Sequence, residues 1–165
     1  LDLPEMHLDA VRVGIAMYGL RPSNEVEPAV PLRPALALKS HVARVRTLPA
    51  GSSISYGRTY ITPRAMPVAL IPVGYGDGYH RLLSNRGAVL INGQRAPIVG
   101  RVCMDQVVVD TSGCGPVALN DEVVLIGEQG NERITVEEIA GWAETISYEV
   151  TTSLLARLPR FFKGG

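Results

Sequence analysis

From residue 35 onward the apolar runs are short, and most are cut off by glycine, proline or asparagine. Residues 35–48 read as strand until Pro49-Ala50-Gly51, and residues 66–73 form a β-branched-rich run that stops at Gly74-Tyr75-Gly76. Residues 88–91 and 95–99 flank Asn92-Gly93, the strongest short-range hairpin signal, because both central positions of a type I′ turn need positive φ. Residues 107–109 and 123–126 give two more strands around the Ser112-Gly113-Cys114-Gly115-Pro116 turn. Short strands at such even spacing predict a mostly β domain, a small Greek-key-like β-barrel.

A short helix interrupts this pattern. Thr135 with Glu138 fits a capping box, and Ile139, Trp142 and Ala143 follow at helical spacing. Residues 151–158 read as a last strand stopped by Pro159, and the basic tail beyond it reads as an end. Before the strands, Val11 to Leu20 is an apolar run, strand or short helix, holding the single charge Arg12. Prolines 22, 28, 31 and 34 then mark an extended linker. The expected division is 1–20, 21–34 as linker, and 35–165 as a β domain.

Bulk properties narrow the function. At 165 residues the chain suits one domain or one plus part of another. Its formal net charge is zero. Nucleic acids and anionic membranes call for a basic excess, so neither is an expected partner. No apolar stretch approaches the ~20 residues of a bilayer span. The opening Leu1-Asp2-Leu3-Pro4-Glu5 does not resemble a signal peptide, and the missing initial Met suggests a piece of a longer protein. Two cysteines, Cys103 and Cys114, read as free thiols of a cytoplasmic protein.

Three clusters carry the chemistry: Ser55-Tyr56-Gly57-Arg58-Thr59-Tyr60, Gly74-Tyr75-Gly76-Asp77-Gly78-Tyr79 and Gly100-Arg101-Val102-Cys103-Met104-Asp105-Gln106. Tyr56 is either a half-buried loop tyrosine or an acid–base group, and the second role needs a cation nearby to lower its pKa. Gly74 to Gly78 lacks the strand–helix setting of a dinucleotide fingerprint, so Asp77 reads as a turn cap. Cys103 as a nucleophile would need a base such as His80 or His41, and no zinc spacing is present. Arg12 inside an apolar run should meet a carboxylate, a backbone cluster or a ligand, because a buried charge is costly alone.

Taken together, five ordered segments resemble alanine racemase: Val11-Arg12-Val13-Gly14-Ile15-Ala16-Met17-Tyr18-Gly19, Ser55-Tyr56-Gly57, Gly74-Tyr75-Gly76-Asp77-Gly78, Gly100-Arg101-Val102-Cys103-Met104-Asp105-Gln106 and Ile146-Ser147-Tyr148-Glu149. The resemblance implies the last segment of an N-terminal α/β barrel followed by the C-terminal β domain. It implies pyridoxal 5′-phosphate as cofactor, L- and D-alanine as substrates, a homodimer and a bacterial cytoplasmic enzyme that supplies D-alanine for peptidoglycan. Tyr56 would be the second catalytic base, acting in trans. Arg12 would face the cofactor's pyridine nitrogen and keep it unprotonated, so well-placed acid and base groups matter more than electron withdrawal. Gly14, Ile15 and Tyr148 would hold its phosphate, Met104 the substrate carboxylate, and Tyr75, Arg81, Arg101 and Ile146 would line the access corridor. Lys39 and Lys163, the only lysines, lie outside the family's lysine motif, so the resemblance implies a piece inactive by itself. Two other readings stay open: a β-barrel binding module, and a related racemase with broader substrates such as serine.

Overall fold

The computed structural model of the protein describes residues 3–23, 25 and 30–162. Among the described residues ten strands and two α-helices follow one another: β1 Leu38–His41, β2 Arg44–Leu48, β3 Ser53–Ile54, β4 Tyr60–Ile61, β5 Met66–Ile71, β6 Ala88–Ile91, β7 Gln94–Pro97, β8 Val107–Asp110, β9 Glu122–Gln129, β10 Glu132–Ile134, α1 Val136–Trp142 and α2 Ser147–Ser153. The fold is mostly β, as expected. The strands do not close into one barrel. They form a five-stranded sheet ordered β1-β9-β6-β7 with β10 on β9, a three-stranded sheet β2-β5-β8, and a β3-β4 ribbon.

The stretch 35–48 is therefore not one strand. Val42 donates its amide to Asp121 at 3.0 Å, and the very next amide, Ala43, donates to Leu70 at 2.9 Å. One residue's step carries the chain from the larger sheet to the smaller one, with Val42 fully buried at the corner. A second corner lies at Ile98 and Val99, where Ile98 bridges to Val109 and Val99 donates to Val108. Each sheet buries one face in a common core. Its centre is β6, in which Ala88, Val89, Leu90 and Ile91 are all buried between β7 and β9.

Local signals decide two elements. Asn92 and Gly93 take φ of 53° and 69° and close the β6–β7 hairpin. Thr135 caps α1 by accepting the Glu138 amide at 3.1 Å. The Glu138 carboxylate turns to Arg95 at 2.6 Å. Val136, Ile139 and Ala140 bury the inner face of α1.

The last expected strand, 151–158, is an error of propensity. Residues 147–153 are helical, and β-branched Thr151 and Thr152 bond back to the Ser147, Tyr148 and Glu149 carbonyls. The run 11–20 is also not a buried strand. It forms a short 3₁₀ turn over Ile15–Tyr18, and only Ile15 and Leu20 enter the core.

Candidate active site

A second, smaller apolar cluster supports the β3-β4 ribbon. Ile54, Met66, Val68 and Val99 pack there with Leu48, Tyr60 and Val108. Thr62, almost fully buried, latches the ribbon's base by donating to the Pro49 carbonyl at 2.6 Å. The ribbon's tip is the turn Tyr56–Arg58, and it carries Tyr56 out of the core: that side chain is 76% exposed.

The three glycine-containing clusters assemble around this turn. Ser55 Oγ donates to the Arg101 carbonyl at 2.7 Å and lies 3.1 Å from Cys103 Sγ. Tyr75 and Gly76 donate their amides to the carbonyls of Cys103 and Met104, at 3.0 and 2.8 Å. Gly74 must be glycine here, because a Cβ would stand 2.1 Å from the Cys103 carbonyl oxygen. The backbone thus brings Tyr56, Tyr75, Arg101 and Met104 onto one connected loop system. Asp77 is the expected turn cap, accepting the Gly74 amide at 2.9 Å.

The corridor candidates divide. Tyr75 and Arg81 line a cleft of about 270 Å³ together with Gly78, Tyr79, His80, Ser153 and Leu155. Ile146 and Tyr148 open α2 and are 62% and 41% exposed. The far end of α2 docks on the second cluster, where Ser153 Oγ donates to the Gly78 carbonyl at 3.0 Å and meets His80 Nε2 at 3.2 Å. His80 is thereby engaged with Ser153, and the neighbour of the Cys103 thiol is a hydroxyl, so no Cys–His pair forms.

Arg12 corrects the sequence reading. It is exposed, as are Val11, Val13, Met17 and Tyr18 around it, so no buried charge needs a partner within this chain. A run apolar on all sides but anchored only through Ile15 and Leu20 leaves its other faces in solvent. Gly14 is open too, with nothing within 4 Å of where a Cβ would stand. Arg12 and Gly14 are exposed on the N-terminal run and Tyr148 is exposed at the start of α2, and a cation, open backbone and a phenol are the kinds of donor that a phosphorylated ligand takes.

The charges point the same way. Arg58 and Arg81 are exposed and Arg101 half-buried, and none pairs with a carboxylate among the described residues. Arg101 lies against the Tyr56 turn, its Nε 3.2 Å from where a Gly57 Cβ would stand. Cationic groups without partners beside an exposed phenol suit an anionic ligand. Among the described residues no cluster of three or more His, Cys, Asp or Glu is arranged for a metal ion.

Residues that sequence reasoning passed over hold the site together. Arg157 donates through Nε to Asp77 at 2.7 Å and through Nη2 to Asp105 at 2.6 Å, tying the second and third clusters to the chain's end. Asn85 accepts the Gly100 amide at 2.6 Å and donates to Thr59 Oγ1 at 3.1 Å. Neither stands in a glycine-rich motif. An asparagine followed by Arg86-Gly87 was the one visible turn signal.

The family described as alanine racemase, C-terminal domain, matches residues 35–162. An alanine racemase of Desulfosudis oleivorans is 51% identical over 166 aligned positions, covering 100% of this chain and 43% of its own length. The alanine racemase structure from D-cycloserine-producing Streptomyces lavendulae superposes with a TM-score of 0.90 at 43% identity, over 99% of this chain and 43% of that one. That of Bartonella henselae, with covalently bound pyridoxal phosphate, gives a TM-score of 0.86 at 35% identity over 94% of this chain and 42% of its own. This chain spans less than half the length of each of these relatives, and it belongs to the alanine racemase C-terminal domain family.

Proposed function

We propose that this chain is the C-terminal part of a pyridoxal-phosphate-dependent alanine racemase that interconverts L- and D-alanine by two-base proton transfer. Residues 1–20 are then the last segment of the cofactor-binding α/β barrel, 21–34 the linker and 35–165 the β domain. The observation that carries this is the placement of Tyr56: it is exposed at the tip of a turn whose Ser55 and Gly57 lie against Arg101, and it does not pack in a core.

In this reading the cofactor, when bound, withdraws electrons and makes the Cα proton of alanine removable. Tyr56 holds or accepts that proton at its phenolic oxygen on one face of the substrate, and a group supplied by the rest of the enzyme serves the other face. Met104 presents its backbone amide to the substrate carboxylate. Arg12, the Gly14 and Ile15 amides and the Tyr148 hydroxyl hold the cofactor, and Tyr75, Arg81, Arg101 and Ile146 line the way in. The exposed Tyr56, Met104, Ile146 and Tyr148 mark half of a site, to be completed by another subunit of a homodimer. Lys39, on β1, is held by Glu122 at 2.8 Å, and Lys163 lies outside the described residues; neither stands in the family's lysine motif, which supports a chain inactive by itself. A bacterial cytoplasmic enzyme supplying D-alanine for peptidoglycan is the cellular role this implies.

The test is Tyr56→Phe in the full-length enzyme, which keeps the ring and removes the ionisable oxygen. Racemisation should fall on the order of 10²–10⁴-fold in both directions. Exchange of the Cα proton with solvent deuterium should survive better from D-alanine than from L-alanine. A variant within twofold of wild type would make Tyr56 a packing residue.

A further inference from the structure

We propose that Ser55 and Asn85 form a two-point clamp that positions Tyr56, a role that rests on the acid–base reading of that tyrosine. The turn carrying Tyr56 is strained. Ser55, Gly57 and Arg58 take φ of 62°, 72° and 50°, and two of the three bear side chains that disfavour this region. Such backbone persists only where its surroundings over-determine it, and it gathers at functional sites.

The surroundings here are two polar side chains, one on each flank of Tyr56. On the near side Ser55 Oγ donates to the Arg101 carbonyl at 2.7 Å. On the far side Thr59 Oγ1 accepts from Asn85 Nδ2 at 3.1 Å, while Asn85 Oδ1 accepts the Gly100 amide at 2.6 Å. Both bridges end on the loop that leads from Gly100 to Met104. Asn85 itself has φ of 58°, a conformation asparagine tolerates better than most residues. Between the two bridges the loops touch with no room to spare: a Cβ at Gly100 would stand 2.9 Å from the Ile54 carbonyl oxygen and 3.0 Å from the Ser55 Cβ. The clamp therefore sets Tyr56 against the segment that carries Met104. The phenol itself has no hydrogen bond among the described residues, so its place is decided by the turn beneath it.

Ser55→Gly and Asn85→Gly test this in the full-length enzyme. Glycine deletes each side-chain bridge without adding positive-φ strain. Each variant should lose on the order of 10- to 100-fold in Cα proton exchange from L-alanine, the loss expected of a misplaced group. Exchange from D-alanine and KM for D-alanine should change less than exchange from L-alanine does. A single 3-fluorotyrosine at position 56 should give one ¹⁹F resonance in the parent, and a broadened or divided one in both variants, with or without cofactor. Exchange within twofold of the parent in both variants, or equal losses from both enantiomers with an unaltered ¹⁹F line, would overturn the clamp. The two residues lie on different loops, so failure of one variant to fold leaves the other decisive. If Tyr56→Phe proves fully active, the acid–base reading falls, and the ¹⁹F spectra still decide whether the clamp exists.

Discussion

Arg157 Nε meets Asp77 Oδ1 at 2.7 Å, although the two stand 80 positions apart in the chain. Asp77 is nearly buried while Arg157 is half exposed, so the carboxylate is the partner that cannot turn to water when the pair is broken. Its other oxygen is already committed to the Gly74 amide.

Asp77→Ala should accordingly destabilise the protein by about 1.5–3 kcal/mol, the usual worth of a hydrogen bond to a charged group. Arg157→Ala should cost as much or more, because it leaves the nearly buried Asp77 carboxylate without its cation, whereas Asp77→Ala leaves a guanidinium that water reaches. Urea denaturation of both variants checks the order; an Arg157→Ala loss well below that of Asp77→Ala would count against a structural role for this pair.

Gly78→Ala should be more damaging than its size suggests. At φ 94° an added Cβ would stand 2.0 Å from the Ser153 carbonyl oxygen, so the end of α2 would have to move off the second cluster. A backbone clash plus a forbidden φ costs about 3 kcal/mol or more. Amide exchange across residues 147–153 should speed up in the variant before the β6–β9 core responds, whereas unaltered protection there would show that α2 does not depend on this contact.

Tyr79 offers a test at alkaline pH. Its side chain is buried and its hydroxyl has no hydrogen-bond partner among the described residues, and burial pushes its pKa far above the ordinary tyrosine value. The raised pKa fixes the sign. Below about pH 10 both folded and unfolded chains keep the proton, and above it only the unfolded chain loses it. Stability should then fall by about 1.4 kcal/mol per pH unit from this group. Tyr79→Phe should remove that part of the alkaline slope and be neutral or stabilising at pH 7, since it deletes an unpaired buried group. Denaturation midpoints of both proteins between pH 7 and pH 11 check it; equal alkaline slopes would refute the assignment.

Local signals were legible in the chain because their physics acts over three or four residues. Asn92-Gly93 closes its hairpin through its own dihedrals, Thr135 caps α1 through an amide three residues on, and Asp77 caps its turn in the same way. The mostly β character was legible for the same reason. The expectation of a buried strand around Arg12 failed, and the short-helix alternative held only over Ile15–Tyr18, because burial depends on what covers a residue, and within this chain little covers residues 11–14.

Tertiary structure decided the rest. The step between sheets at Val42 and Ala43 depends on two distant acceptors, Asp121 and Leu70, and no local pattern announces it. The helix at 147–153 runs against the β propensity of its threonines, which bond back to their own carbonyls while Ser153 anchors the last turn on Gly78. Open sheets in place of a closed barrel, and the meeting of Ser55, Asn85 and Arg157 with the loops around Tyr56, follow from pairings 15 to 80 residues apart. Sequence determined which residues had chemistry to offer, because side-chain type and local dihedral preference travel with the residue. Only the fold determined which of them meet, because long-range contact is a property of the whole packed chain.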